Sequence, residues 1–405
     1  MMKGVQILIR ISDKTKCCGC SSCANACPKQ CITMQADNEG FLYPVADASV
    51  CINCGVCEKV CPILSVQKST PFEQKAYVIQ NKNERVLRES TSGGAFTAIA
   101  EYVIDRNGVV FGAAFDADFK VIHTYAETKD ELRKFRNSKY VQSDTIDSFK
   151  KVKDFLTKGK LVCFSGTPCQ IEGLRSFLCR DYENLILIDV VCHAVPSPLV
   201  WEKYKTFLLE HEKMLDAKFR DKEPYGYQYS QMTLTSFNKK IVNGVESDYY
   251  LRAFFANLSD RPSCYQCHFK ERYRNADFTI WDCWDARKFD NIFDNSAGAT
   301  CILAHSQKAQ NAVSGIFRTC KCVEVSADEI CSSIKEMTNS VPMNPKREAF
   351  FKDMNEMTDK DFFEKYFPMT FKVRFERFIR KFSHKLGVYE IAKKIGKSVW
   401  KNKRR

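Results

Sequence analysis

Two runs of cysteine carry the most specific chemistry in this sequence. Cys17, Cys20, Cys23 and Cys27 follow the order C-x2-C-x2-C-x3-C and are closed by Pro28; Cys51, Cys54, Cys57 and Cys61 repeat that order and are closed by Pro62. Gaps of two residues let three thiolates fold around one face of an iron–sulfur cubane. The fourth then points away toward another cubane, which is why such runs come in pairs. The spacing predicts two 4Fe-4S clusters, one on Cys17, Cys20, Cys23 and Cys61 and the other on Cys51, Cys54, Cys57 and Cys27. The two prolines stop helical continuation and leave nearby backbone N–H groups free to face sulfur. Paired C-x2-C elements can also hold zinc tetrahedrally, but the doubled order with Cys-Pro endings fits zinc poorly. Cys18 and Cys31 fall off the pattern and read as bystanders. A chain so equipped moves electrons.

Four further cysteines are scattered. Cys169 follows an expected strand over 161–164, Cys192 ends one over 185–191, and Cys264 and Cys267 form a C-x2-C pair. In a parallel sheet the first two emerge at the carboxyl edge, where ligands bind, and the C-x2-C loop can cap that edge. Buried structural thiols are the plain alternative for Cys169 and Cys192, and a zinc knuckle completed by His268 is the alternative for the pair. Cys163, Cys179, Cys283, Cys301, Cys320, Cys322 and Cys331 read as ordinary core or surface cysteines. Ser92, Gly93 and Gly94 precede an apolar-periodic helix; Ser92 can cap it, and the glycines let an anion approach its N–H groups. An unliganded helix start has the same sequence. Lys139, between Ser138 and Tyr140, reads either as a phosphate-neutralising group beside a ring-packing tyrosine or as a surface lysine. His193 follows Cys192 and suits a proton donor with a pKa near neutrality, a donor to cluster sulfide, or a satisfied histidine.

The elements that must position these groups alternate. Strands are expected over 76–79, 109–115, 161–164, 185–191, 300–304 and 322–325, with helices over 94–106, 147–158, 169–178, 198–211, 307–318 and 327–337. Such alternation predicts a mostly parallel α/β layer. From about 216 to 295 the regularity fades. The expected architecture is a small bacterial-type dicluster ferredoxin domain at 1–66, followed by a larger mixed α/β region. That region divides into an α/β domain at 67–215, a second domain with the C-x2-C pair at 216–345, and a helical basic tail at 346–405.

Composition narrows the classes. Hydrophobic content of 44% and charge of 27% fit a globular chain, and no apolar run is long enough for a membrane-spanning helix. The first 14 residues lack the features of a signal peptide. An odd count of 21 cysteines without disulfide-like spacing points to reduced thiolates and a reducing cytoplasm. The net charge of +13 is local: residues 371–405 hold 13 Lys or Arg against two acids, and the remaining 49 Lys or Arg nearly balance 47 Asp or Glu. Nucleic acid is therefore not an expected partner. In the tail Phe371, Phe375, Phe378, Phe382 and Leu386 share one helical side among basic residues, with Gly387 dividing it from a second basic stretch. That pattern suits peripheral contact with the inner membrane face, or a terminal helix that docks its Phe stripe on the core.

Several phrases together carry a family likeness: Thr-Ser-Gly-Gly at 91–94, Asn-Ser-Lys-Tyr at 137–140, Gly-Thr-Pro-Cys-Gln at 166–170, Cys-His-Ala-Val-Pro-Ser at 192–197, Ser-Cys-Tyr-Gln-Cys at 263–267 and Ala-Asp-Phe-Thr-Ile-Trp-Asp-Cys-Trp at 276–284. The chain resembles the coenzyme F420 hydrogenase/dehydrogenase beta-subunit family fused to a dicluster ferredoxin. The resemblance implies a non-covalent FAD and a third 4Fe-4S cluster on Cys169, Cys192, Cys264 and Cys267. It also implies a flavin bound around Ser92, Gly93, Gly94, Ser138, Lys139, Tyr140, Thr167, Pro168 and Asp282, with His193 as the catalytic residue. The sequence departs from the family's pattern at Ala194, where glycine is usual, and over 281–285, which makes transfer of the deazaflavin substrate unsafe. The leading expectation is an oxidoreductase that passes electrons from a low-potential donor such as a ferredoxin to a small organic substrate. The alternative is an electron-transfer beta subunit of a larger complex that reduces a deazaflavin coenzyme. A non-catalytic redox sensor lacks any recognisable signalling module, and no Gly-x-Gly-x-x-Gly fingerprint points to a nicotinamide.

Overall fold

In the computed structural model, which describes residues 9, 11–65, 71–145, 147–223, 225–293 and 295–389, the cysteine-dense N-terminus coils tightly. Ser21 and Gly55 take left-handed backbone conformations (φ 62° and 71°), and each opens a short helix, α1 (Ser22–Ala26) and, later in the chain, α2 (Val56–Lys59). Between these helices lies an antiparallel hairpin of β1 (Ile32–Ala36) and β2 (Leu42–Ala46).

The body begins with β3 (Lys75–Asn81), α3 (Glu84–Glu89), α4 (Ala95–Ile104), β4 (Val109–Phe115) and β5 (Val121–Ala126). It continues through α5 (Ser148–Thr157), β6 (Val162–Gly166), α6 (Pro168–Leu178), β7 (Leu185–Val190) and α7 (Pro198–Leu209). Apart from α3 and β5, which are not expected, these elements follow the expected alternation, because long apolar runs bounded by turn residues mark buried strands. The next stretch holds a three-stranded meander of β8 (Met214–Asp221), β9 (Gln231–Ser236) and β10 (Lys240–Asn243), then α8 (Tyr249–Phe255) and β11 (Phe278–Cys283). The chain closes with β12 (Ala299–Ala304), α9 (Gln307–Ile316), β13 (Cys320–Val325), α10 (Ala327–Ser332), α11 (Arg347–Glu356), α12 (Asp359–Tyr366) and α13 (Phe371–Lys385).

One sheet in the order β13-β3-β12-β11-β7-β6-β4-β5 organises the body. The pairs β11–β7, β7–β6 and β6–β4 are parallel, whereas β4–β5, β11–β12, β12–β3 and β3–β13 are antiparallel. The expected mostly parallel layer is thus a mixed sheet with a parallel centre. Strand–helix alternation reveals layers but not the direction in which a strand enters. The sheet also takes strands from both 67–215 and 216–345, so these two regions share one layer. Helices α4 and α9 pack on one face and α5 and α6 on the other. A separate aromatic core of Trp201, Tyr204, Phe219, Tyr250, Phe350 and Phe363 joins α7 to the meander and to α8, α11 and α12.

The N-terminal module is clasped to this body. Arg347 on α11 makes a bidentate ion pair with Glu39 (2.9 and 2.6 Å), and Ser197 Oγ donates to Glu39 O. Gly173 brings α6 so close to Cys20 that a Cβ there would lie 2.7 Å from Cys20 Cβ.

Candidate functional site

α1 carries Cys23, and Cys61 follows α2; the Cys23 thiol lies near those of Cys17 and Cys61. Burial, reinforced by Cys17 and Cys61, pushes the Cys23 thiol up to about 12, and Cys61 is raised by burial and by Cys17. Cys20 is buried beside them. Cys27, Cys51, Cys54 and Cys57 line one small cavity, so the crossing of Cys27 to the second set is present in the fold. Cys31, expected as a bystander, lines the same cavity, and its sulfur lies 3.4 Å from that of Cys27.

The scattered cysteines converge. Burial, opposed by Lys270 and reinforced by Cys169 and Cys267, pushes Cys192 up to about 12. Burial followed by Cys192, Asp260, Cys169 and Cys267 raises Cys264 well above the thiol range, and Cys267 is raised by burial and then Cys169. Four thiols that oppose one another's ionisation suit a cationic metal centre, which displaces the protons and neutralises the thiolates. The donor chemistry therefore fits an iron–sulfur cluster. Local structure supplies the placement: Cys169 sits in the first turn of α6, capped by Thr167 with Gln170 in a capping box, and Cys192 follows β7. The Cys264 N–H donates to Arg261 O (2.9 Å), and the Cys267 N–H donates to Ser340 Oγ (2.9 Å).

Two residues that sequence reasoning passed over lie beside the sets. Cys18, expected as a bystander, borders the same cavity as Cys169, and its thiol, lowered by Cys169 but raised more by Cys20 and burial, is held well above the usual range. Arg261 is fully buried and donates to Cys17 O (2.8 Å), Leu42 O (3.0 Å) and Gln142 Oε1 (3.3 Å), with Nη2 3.6 Å from Cys17 Sγ. Its guanidinium lies 4.2 Å from the Tyr43 ring centroid. The adjacency of Cys18 to Cys17 was the available signal for the first; Arg261 lay in the segment where periodicity fades.

Beside the scattered thiols opens a cavity of about 470 Å³, bordered by Cys18, Cys169 and Cys192. This volume lies within the roughly 300–1,000 Å³ of small-molecule sites. Ser92, Gly94, Ser138, Tyr140, Thr167, His193 and Asp282 all line it. The first N–H groups of α4, which a helix leaves without internal acceptors, border it at Ala95, Phe96 and Thr97. Tyr140 stacks on Phe254 with ring centroids 5.0 Å apart. Arg220, another residue from the irregular stretch, bonds Tyr140 Oη (3.4 Å) and Asp282 Oδ2 (3.3 Å), and lies 4.8 Å from the Trp284 ring centroid. Its buried Nη2 has no acceptor among the described residues. An orphaned guanidinium nitrogen and open helix N–H groups fit an anionic, ring-bearing cofactor such as FAD.

Four expectations need correction. Lys139 lines the cavity, but its Nζ donates to Lys134 O, Arg136 O and Asn137 O (2.8, 3.0 and 3.1 Å), so it locks its own loop instead of facing a phosphate. Burial lowers its pKa to about 7, opposed by Asp216. Ser92 does not cap α4: Gly94 is the N-cap (φ 79°), and Ser92 Oγ bonds Thr300 Oγ1 at 2.7 Å. Gly93 backs onto strands β3 and β12, where a Cβ would meet Ile79 O at 2.4 Å, and its N–H donates to Thr300 Oγ1. Close packing, not ligand approach, requires that glycine. Pro168 occupies the first turn of α6, buried in the helix packing.

His193 is held on both sides. Asn257 Nδ2 donates to Pro342 O (3.2 Å), which turns Asn257 Oδ1 toward His193 Nε2 at 2.9 Å, so Nε2 carries the proton. Nδ1 faces Glu336 at 3.8 Å, and burial lowers the pKa, favouring the neutral ring.

Three comparisons bear on this site. Residues 16–63 match a 4Fe-4S dicluster domain. Residues 76–150 match the N-terminal part, and residues 159–329 the C-terminal part, of the coenzyme F420 hydrogenase/dehydrogenase beta subunit. Among solved structures the chain is similar to one in the F420-reducing NiFe hydrogenase complex from Methanosarcina barkeri, at 14% identity over 74% of this chain and 91% of that chain, with a TM-score of 0.42. No curated protein matches.

Proposed function

The chain belongs to the coenzyme F420 hydrogenase/dehydrogenase beta-subunit family, with a 4Fe-4S dicluster domain ahead of it, and from that premise we propose an iron–sulfur flavoprotein oxidoreductase. It takes electrons from a low-potential donor such as a ferredoxin and delivers them to a small organic molecule, in the reducing cytoplasm. Cys17, Cys20, Cys23 and Cys61 would hold one cluster, Cys51, Cys54, Cys57 and Cys27 a second, and Cys169, Cys192, Cys264 and Cys267 a third. FAD would occupy the cavity. When bound, the clusters supply single-electron transfer and the flavin supplies two-electron chemistry.

The observation that carries this reading is the placement of Cys18, Cys169 and Cys192 on the wall of the cavity that Arg220 and the start of α4 also line. The chain's own residues have distinct tasks there. Arg220 Nη2 and the α4 N–H groups receive negative charge, and Tyr140, Phe254 and Trp284 give flat apolar surfaces. His193, whose unprotonated Nδ1 lies 3.8 Å from Glu336, would take up or release a proton at that atom beside the cavity, which both residues border. Anaerobic purification tests the reading: about twelve iron and twelve sulfide per chain are expected from three cubanes, with one FAD and reduction of an organic substrate by reduced ferredoxin. About eight iron and no flavin would overturn it.

A second reading, an electron-transfer beta subunit of a larger complex that reduces a deazaflavin, is supported by the beta-subunit description of the matched family. The departures at Ala194 and over 281–285 favour a different substrate, because Ala194, Trp281, Asp282 and Trp284 all border the cavity. Turnover by the isolated chain supports the first reading; turnover only with an added partner supports the second.

A further inference from the structure

The terminal helix α13 has an apolar stripe and a basic side, and a helix of that kind ordinarily buries its stripe on the core. Here it does the reverse. Arg380 lies 3.7 Å from Glu246, pairs with Glu376 at 2.8 Å and donates to Tyr389 Oη at 3.1 Å. Arg377 donates to Val242 O (3.0 Å), and His384 stacks against Tyr389 and Tyr229, with ring centroids 3.7 and 5.4 Å away. Ser383 is the residue of α13 that is buried. The helix is therefore held by its polar side.

The stripe is left exposed. Phe371, Phe375, Phe378, Phe382 and Leu386 are 82, 55, 59, 48 and 58% exposed, and the rings stack in two pairs along the helix. Beneath the helix runs a groove of about 1270 Å³ between α13, the end of β3 and the loops at 222–226 and 295–297. Lys82 and Lys321 on the body face Arg374, Arg377, Lys381 and Lys385 on the helix, with Glu84 and Glu223 as its acids. Phe378 and Phe382 line the same groove.

We infer that α13 and this groove dock on an anionic phospholipid surface. Lipid phosphates answer the cations on both walls, and the acyl boundary answers the exposed phenylalanines; neither alone satisfies both features. Charge complementarity chooses this occupant over an apolar protein surface, since residues outside the tail are nearly balanced in charge. The inference stands independently of the substrate at the cavity.

The test uses the full chain, loaded with iron, in flotation with vesicles of phosphatidylcholine alone and vesicles enriched in phosphatidylglycerol. Binding to the second kind only is expected, weakening as salt rises. Lys381→Glu with Lys385→Glu should weaken it by at least about tenfold, given roughly 1 kcal/mol per basic residue. Phe378→Ser with Phe382→Ser should leave a weaker, wholly salt-sensitive association. Both pairs are on or near the exposed side, so circular dichroism and iron content should not change. Equal association with neutral and anionic vesicles overturns the inference, as does anionic binding that survives the Lys pair or capture by an acidic polypeptide but not by lipid.

Discussion

The molecule gathers cysteines in two ways. In the N-terminal module eight of them lie within two short stretches, and turns at Ser21 and Gly55 bring each run around a point. In the body four come from the first turn of α6, the end of β7 and a loop after α8, separated by up to nearly a hundred residues. The first set is encoded by chain geometry; the second exists only when the sheet has formed. The comparison teaches that the second set should depend on packing in a way the first does not.

The strongest test substitutes one thiol in each set. Cys264→Ser should remove about four of about twelve iron, the content of one cubane, and leave the dicluster domain loaded. Electrons from dithionite should then reach that domain but reduce the flavin slowly. Iron analysis and stopped-flow absorbance check this, and full iron with unchanged flavin reduction would break the division between the two sets.

Arg261 sits at the join. Arg261→Gln strips donors from Cys17 O and Leu42 O, so it should destabilise the protein by about 1–3 kcal/mol per buried group left unpaired. Removing a fixed positive charge 3.6 Å from Cys17 Sγ should also shift the potential of the first cluster to more negative values. Redox titration followed by electron paramagnetic resonance reads that shift, and Arg261→Lys should restore part of it. Retention of the wild-type potential in the Gln variant would show that this cation does not act on the cluster.

Gly173 sharpens the comparison by pushing the two sets apart. A Cβ would lie 2.8 Å from Cys20 Sγ, so Gly173→Val should cost about 1–3 kcal/mol through overpacking. Both iron sets should remain while electron passage between them slows. Chemical denaturation and single-turnover flavin reduction measure the two effects; an unchanged transfer rate would argue against electron passage across the contact between α6 and Cys20.

The smallest effect concerns pH. Asp260, near Cys264, has no hydrogen-bond partner for either carboxylate oxygen among the described residues, and burial raises its pKa to about 8, opposed by Arg347 and Lys270. Between the unfolded value near 3.8 and about 8 only the unfolded chain releases this proton, so stability falls as pH rises through that window. Asp260→Asn should flatten that decline in denaturation midpoints measured across the same range. An identical slope in the variant would assign the pH dependence elsewhere.

By itself the sequence determined the doubled thiol pattern, the elements from β3 to α7 other than α3 and β5, and the basic character of the tail. Each rests on relations among near neighbours: ligand spacing, hydrophobic period, local charge. It did not reveal β11 or the meander, where Trp281, Asp282 and the charged residues of 216–221 interrupt the apolar runs that mark a strand. Nor did it reveal that Lys139 turns back on its own loop, or that Arg220 lines the cavity with a guanidinium nitrogen lacking an acceptor among the described residues. The second basic stretch, 393–405, lies outside the described residues. The tertiary structure alone decided that Cys18 borders one cavity with Cys169 and Cys192, that Arg261 reaches a residue 244 positions away, and that α13 packs through Arg377, Arg380 and His384. Amphipathic periodicity fixes which residues share a side of a helix, but the energy of packing against Glu246, Tyr229 and Tyr389 chooses the side that faces the protein.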